Sequence, residues 1–172
     1  LLARVGSNAR MLALHDHNER EQATRIVEVI LAGRDVALIA DAGTPLISDP
    51  GFRLVRAVRE AGAVVSPVPG PCAAIAAMTV AGLPSDRFVF EGFLPAKSAA
   101  RRERMTVLAS ETRTLIFYES SHRIAESIDD AIAIFGAARE AVLARELTKL
   151  YETVIAAPLG EIAARIAADA NQ

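Results

Sequence analysis

The sequence predicts an α/β protein of two domains, and three observations carry that prediction. Short apolar runs rich in Val, Leu and Ile alternate with stretches of helical period. Several of these runs stop at an acidic or turn residue just before a helix begins, as in strand-loop-helix units. A break from small apolar residues into turn chemistry at Ala81-Gly82-Leu83-Pro84-Ser85-Asp86 divides the chain into domains 1–83 and 84–172. The first domain reads as a mostly parallel sheet with its helices and the second as a mixed sheet.

At 172 residues the chain can bury a core without help from disulfides or metals. Its hydrophobic fraction is 52%, yet no run approaches the roughly 20 apolar residues that span a bilayer, so no membrane partner is expected. The formal net charge of −2 excludes a surface coated in basic charge, and any contact with nucleic acid has to come from a local patch. A single cysteine forms no internal disulfide and nothing resembles a secretory leader, which together suggest the cytoplasm. The chain opens on Leu1-Leu2-Ala3-Arg4 with no methionine and reads as a fragment.

In order along the chain, residues 10–14 read as a short strand. His15-Asp16-His17-Asn18 is a turn, and a helix follows over 19–32. Asn18 is the expected N-cap, with Glu21 three residues on in a near capping-box arrangement; Ile26, Val27, Ile30 and Leu31 form the apolar face and Gly33 ends the helix. His15 and His17 lack a third ligand at metal-site spacing and read as turn residues, so no metal is expected. Residues 36–40 form the next strand, which stops at Asp41, and Ala42-Gly43-Thr44-Pro45-Leu46-Ile47-Ser48-Asp49-Pro50-Gly51 is a ligand-sized loop at the strand's carboxyl end. The helix after it is expected to turn Phe52, Val55 and Val58 inward and to close at Gly62. A strand over 63–68 runs into Pro69-Gly70-Pro71-Cys72-Ala73-Ala74, a sharp turn into a helix of very small residues whose free amides suit a polar ligand group. Cys72 at that helix start is either a nucleophile or a small pocket-lining residue; no histidine lies near it in sequence.

In the second domain, 87–93 alternates as a strand and leads through Leu94-Pro95 to a basic helix start with Lys97, Arg101, Arg102 and Arg104. On spacing alone these cations are either a solvated helix face or a grip on phosphates. Thr114-Leu115-Ile116-Phe117-Tyr118 is a strand ending at Glu119, followed by a helix with Ile124, Ile128, Ile132 and Phe135 on one stripe before Gly136. Residues 140–146 and 151–155 read as an antiparallel pair joined by Leu147-Thr148-Lys149, and Pro158 opens a last helix.

These loops resemble those of the tetrapyrrole methylase superfamily of S-adenosylmethionine-dependent methyltransferases. The resemblance rests on six motifs in order over nearly the whole chain. They are Asp41-Ala42-Gly43-Thr44-Pro45-Leu46-Ile47-Ser48-Asp49-Pro50-Gly51, Pro69-Gly70-Pro71-Cys72-Ala73-Ala74, Gly82-Leu83-Pro84-Ser85-Asp86-Arg87-Phe88, Glu91-Gly92-Phe93-Leu94-Pro95, Phe117-Tyr118-Glu119-Ser120-Ser121-His122-Arg123 and Ala144-Arg145-Glu146-Leu147-Thr148-Lys149. Within the superfamily they look like the branch that methylates small-subunit ribosomal RNA; Gly43-Thr44-Pro45 stands where the tetrapyrrole branch tends to have Gly-Asp-Pro.

The resemblance implies two α/β domains, a homodimer, and transfer of a methyl group to the 2′-hydroxyl of a cytidine in small-subunit (16S) ribosomal RNA. It implies cofactor contacts at Ala42, Gly43, Thr44, Ile47, Cys72, Ala73, Tyr118 and Leu147, and it turns Lys97, Arg101, Arg102 and Arg104 into expected contacts with RNA phosphates. Relatives carry a further N-terminal strand and a further C-terminal strand, so both sheets are expected to lack one here, and turnover is expected of the parent protein rather than of this fragment alone. A ribose hydroxyl needs a base, and Glu119 and Lys149 are the favoured candidates, with His122 and Glu146 behind them and ion pairing and helix capping as the other reading of each. A tetrapyrrole or other small-molecule methyltransferase, and a non-catalytic cofactor-binding fragment, are the alternatives.

Overall fold

The structure is a computed structural model that describes residues 2–169. The fold is α/β, and the chain forms two compact units divided between Gly70 and Pro71. The junction expected from turn chemistry at Pro84 therefore lies inside the second unit. The physical reason is local: the helix that begins at Ala73 packs on strands of the second unit rather than on the elements before it in sequence.

The first unit is built on helices α1 (Glu19–Leu31) and α2 (Phe52–Glu60). Ala23 and Ile26 of α1 meet Leu54 and Val58 of α2, with Val27, Ile30 and Ala57 at the margin. Two inward assignments from periodicity need correction. Phe52 is 64% exposed and Leu54 takes its place in the core, while Leu31 at the end of α1 faces solvent. A stripe drawn from the first apolar residue of α2 starts its count one position off, because Gly51 and not Phe52 is the residue buried at the helix start.

The mostly parallel sheet expected in the first domain is not formed here. No β-strand occurs among the described residues of this unit, and 10–14, 36–40 and 63–68 run as irregular chain. A strand exists by pairing its N–H and C=O groups with a neighbour, and apolar sequence alone does not supply that ladder. The three segments still contribute to the core: Leu14, Leu38 and Ala63 each pack on the α1–α2 cluster. Their outward residues stay uncovered, with Val64 88% and Val68 89% exposed.

The second unit contains α3 (Ala73–Ala81), β1 (Phe88–Phe93), α4 (Ser98–Val107), β2 (Thr114–Tyr118), α5 (Ile124–Phe135), β3 (Glu140–Arg145), β4 (Thr153–Pro158) and α6 (Leu159–Ala168). β1 and β2 pair in parallel through the α4 crossover, and β3 and β4 pair antiparallel. Both pairings expected of a mixed sheet are present, as two separate two-stranded ladders. In β1 the register slips between Phe90 and Gly92, a bulge that leaves Glu91 without a ladder partner and able to receive Arg104 of α4 at 2.7 and 2.9 Å. Leu94, Met105, Ala131 and Leu159 form one buried cluster, and Ala157, Ile162 and Ile166 form another beneath β3 and β4.

Arg101 joins α4 to α5 from the interior. It is 0% exposed, its Nε donates to Asp130 Oδ2 at 2.7 Å and its Nη1 to the Ala96 carbonyl, and the Ser98 hydroxyl donates to the same carboxylate. A buried ion pair of this kind is costly to break from one side, because among the described residues the buried guanidinium would keep only the Ala96 carbonyl and the exposed Glu126 carboxylate at 3.6 Å. Asp130→Ala is expected to lower the unfolding free energy by about 3–5 kcal/mol. Arg56→Ala, which opens the exposed Arg56–Glu60 pair of α2, should leave the urea midpoint where it is. Urea titrations of the two variants check both statements.

Candidate functional site

The loop at 41–51 follows the apolar run that places Leu38 on the helical core. It contains four residues with left-handed φ: Gly43 at 80°, Leu46 at 72°, Ser48 at 60° and Gly51 at 134°. Leu46 and Ser48 have side chains, for which this region costs on the order of 1–2 kcal/mol each. Inside the loop, the Ile47 N–H donates to the Thr44 carbonyl at 3.3 Å. At its end, Gly51 holds φ at 134°, and a Cβ there would lie 2.8 Å from Leu38 Cδ2 and 2.9 Å from Leu46 Cδ1, so a side chain would strain the backbone and push aside the ends of both leucines. Ala42, Gly43 and Ile47 are exposed and Thr44 is half-buried. This small-residue, backbone-rich surface suits a ligand held by amides and carbonyls.

The fastening of this loop was not legible from local spacing. Glu19, the first residue of α1, is 5% exposed, and its Oε1 accepts three backbone N–H groups, from Gly51 at 3.0 Å, Arg53 at 2.7 Å and Leu54 at 3.3 Å. The start of α2 thus receives its acceptor from another helix, and a full negative charge there complements the helix dipole. Asn18 makes no side-chain cap on α1, against the expectation. Its side chain accepts from the His15 N–H at 2.9 Å and donates to the Ala13 carbonyl at 3.0 Å, closing the turn ahead of Glu19. The rings of His15 and His17 lie edge to face at 6.0 Å. Among the described residues no group of three or more His, Cys, Asp or Glu side chains is placed to hold a metal ion.

In the second unit the structure brings two separately expected sites together. Cys72 is the N-cap of α3, half-buried, with an extended backbone. The Ala74 N–H of the same helix start donates to the Tyr118 hydroxyl at 3.0 Å. Phe90 and Phe93 stand edge-on to the Tyr118 ring at 5.0 and 5.5 Å and fix its orientation. Tyr118 at the end of β2 is therefore adjacent to the Cys72-Ala73 turn. The alanines at 73, 74, 76 and 77 keep the approach to this helix open.

Leu147 sits half-buried in the turn between β3 and β4. Glu146 and Thr148 on either side of it hold φ at 52° and 64°. The turn is closed by Lys149 N–H to the Glu146 carbonyl at 2.9 Å, by Lys149 Nζ to Glu146 Oε1 at 3.0 Å and by Thr148 N–H to Glu152 Oε2 at 2.6 Å. Two of the base candidates, Glu146 and Lys149, are thus one exposed ion pair. Glu119 is differently placed. Its carboxylate accepts from the Ser120 N–H at 2.8 Å and the Ser127 hydroxyl at 2.6 Å and pairs with Arg123 at 2.7 Å. These bonds tie it to α5 as a brace. His122 is exposed beside it.

The four basic residues around α4 also separate. Arg101 is buried against Asp130 inside the unit, whereas Arg104, which pairs with Glu91, stays exposed. Lys97 and Arg102 are exposed, and Arg102 Nε lies 3.9 Å from Asp130 Oδ1.

Residues 3–163 match the family described as Tetrapyrrole (Corrin/Porphyrin) Methylases. Ribosomal RNA small subunit methyltransferase I of Escherichia coli O157:H7 is 55% identical over 172 residues, which is 100% of this chain and 60% of that protein. The protein of the same name from Xylella fastidiosa (strain Temecula1) is 60% identical over 100% of this chain and 63% of its own length. That from Pseudomonas aeruginosa is 55% identical over 100% of this chain and 61% of its own length. The chain thus spans somewhat less than two thirds of these curated relatives.

Gly51→Ala should be markedly more damaging than Gly62→Ala. Both carry left-handed φ, but a Cβ at Gly62 meets nothing within 4 Å, whereas at Gly51 it adds overpacking worth about 1–3 kcal/mol. Thermal unfolding of the two variants measures the difference.

Proposed function

The chain belongs to the tetrapyrrole methylase family, and on that premise we propose that it serves S-adenosylmethionine-dependent methylation of small-subunit ribosomal RNA. The finer reading is transfer to the ribose 2′-hydroxyl of a cytidine, by a homodimer working in the cytoplasm. One observation supports the cofactor part above the rest. All four non-glycine residues with left-handed φ among the described residues, Leu46, Ser48, Glu146 and Thr148, lie in two of the loops where the family resemblance places cofactor contacts. Backbone strain persists only where the surroundings hold it, and it gathers at functional loops.

The residues fit the cofactor by chemistry. Ala42, Gly43 and Thr44 in the first unit offer small side chains and Ile47 an exposed apolar one, and in the second unit Cys72 and Ala73 offer small side chains beside the Tyr118 hydroxyl, with Leu147 as an apolar contact. The domain division at 83/84 is kept as a proposal for the whole protein. When bound, the cofactor supplies a methyl group already activated on a sulfonium, so the protein chiefly aligns the acceptor hydroxyl and removes its proton. For that proton we favour the Glu146–Lys149 pair, whose exposed carboxylate and ammonium stand on the strained turn next to Leu147. Glu119 serves as a brace in this reading, and His122 is the reserve candidate. Lys97 and Arg102 are the proposed phosphate contacts, while Arg101 and Arg104 shape the helix that presents them.

The reading predicts that the full-length protein transfers labelled methyl from S-adenosylmethionine to small-subunit particles or their RNA, recovered as a 2′-O-methylcytidine. Absence of transfer to either substrate overturns it. Glu146→Gln and Lys149→Met should each lower turnover by about 10²–10⁴-fold with affinity for S-adenosylhomocysteine retained. Unchanged turnover in both removes the base assignment. Replacing Lys97 and Arg102 by Gln should weaken RNA binding and reduce the salt slope by about one for each phosphate no longer neutralised.

A further inference from the structure

We propose that Glu19 is a positioning residue for cofactor binding, holding the 41–51 loop in its strained form through the start of α2. The proposal rests on the reading of that loop as a cofactor contact and adds a residue that the loop's own motif does not contain. Three observations carry it. First, a single buried carboxylate oxygen accepts the N–H groups of Gly51, Arg53 and Leu54, all three at or just past the loop's last residue. Second, the anchored residue is the one whose missing Cβ lets Leu38 and Leu46 close over it, so the anchor fixes where Leu46 sits. Third, Leu46 and Ser48 hold left-handed φ, a state that needs external restraint. Without the carboxylate, the buried Gly51 and Leu54 amides and the part-buried Arg53 amide lose their acceptor, the end of the loop moves to rehydrate them, and Leu46 and Ser48 can relax to ordinary φ. Gly43, Thr44 and Ile47 then lose the arrangement in which they would meet the ligand. Glu19 touches no ligand in this account.

The test uses the full-length protein with Glu19→Ala and Glu19→Gln, and Asp130→Asn as a control that weakens the second unit's own ion pair. Two readouts are taken: amide hydrogen exchange at Ile47, whose acceptor is Thr44 and not Glu19, and the dissociation constant for S-adenosylhomocysteine by calorimetry. The expected result is faster exchange at Ile47 and about ten- to a hundredfold weaker binding in Glu19→Ala. Glu19→Gln, which keeps a carbonyl acceptor, should fall between, and Asp130→Asn should melt earlier yet bind as the wild type does. If Glu19→Ala does not fold, Glu19→Gln carries the same comparison. Wild-type affinity, or unchanged exchange at Ile47, in a folded Glu19 variant overturns the proposal and makes the clamp purely structural. A wild-type protein that binds no S-adenosylhomocysteine overturns the cofactor reading itself, which is a different result from a Glu19 variant binding as well as the wild type.

Discussion

The first unit depends on one carboxylate. A helix begins with N–H groups that its own turns leave without acceptors, and the side chain of the residue just before it is one source that can meet that need. Here that residue is Gly51, which has no side chain and is needed as glycine because Leu38 and Leu46 close over it. The acceptor therefore has to come from elsewhere, and Glu19 supplies it from the start of α1. The same bonds fix α1 against α2 and thereby set the Ala23, Ile26, Leu54 and Val58 cluster that is the unit's core. A glycine required by packing and a distant acid required by the glycine are two parts of one solution.

The second unit spreads the same task over several polar links. Arg101 and Asp130 join α4 to α5, Arg104 and Glu91 join α4 to the bulge of β1, Glu119 ties the end of β2 to α5, and the Tyr118 hydroxyl receives a first-turn amide of α3. Two of these links fasten the end of β2 to a neighbouring helix, and the other two fasten the body of α4 to α5 and to β1. Apolar clusters set the spacing of the layers, while these bonds, most of them charge-assisted, fix how α4 and the end of β2 sit against their neighbours.

That division explains what could be read from residues alone. β2 at 114–118, the stripe of Ile124, Ile128, Ile132 and Phe135 in α5, and the antiparallel β3–β4 pair follow from period and turn chemistry, which are local. The loops with Gly43-Thr44-Pro45 and Cys72-Ala73 were legible as turns that lead into helices, and the closeness of Tyr118 to Cys72-Ala73 followed only from the family pattern. What stayed hidden was pairing at a distance. Arg101 looks like its neighbours Arg102 and Arg104 in sequence, yet a helical turn carries it inward onto Asp130. Glu19 looks like a first-turn acid of α1, and its partners lie 32 to 35 residues on. The runs at 10–14, 36–40 and 63–68 have strand composition, but composition reports a tendency to be buried and not the presence of a hydrogen-bonding neighbour.

Left-handed φ is unremarkable at glycine, and eight glycines among the described residues adopt it. Leu46, Ser48, Glu146 and Thr148 gain nothing from glycine's freedom, and their turns are held by specific neighbours: Leu46 by Gly51 and the Glu19 clamp, and the 146–149 turn by the Glu152 carboxylate and the Glu146–Lys149 pair. A loop needed only to connect two elements would relax by substituting glycine or by lengthening, since connection alone does not reward strain. A loop that presents backbone in a set shape cannot do so without losing that shape. Strain at these two turns, with dedicated restraints on both, is what a protein that binds through backbone geometry has to maintain.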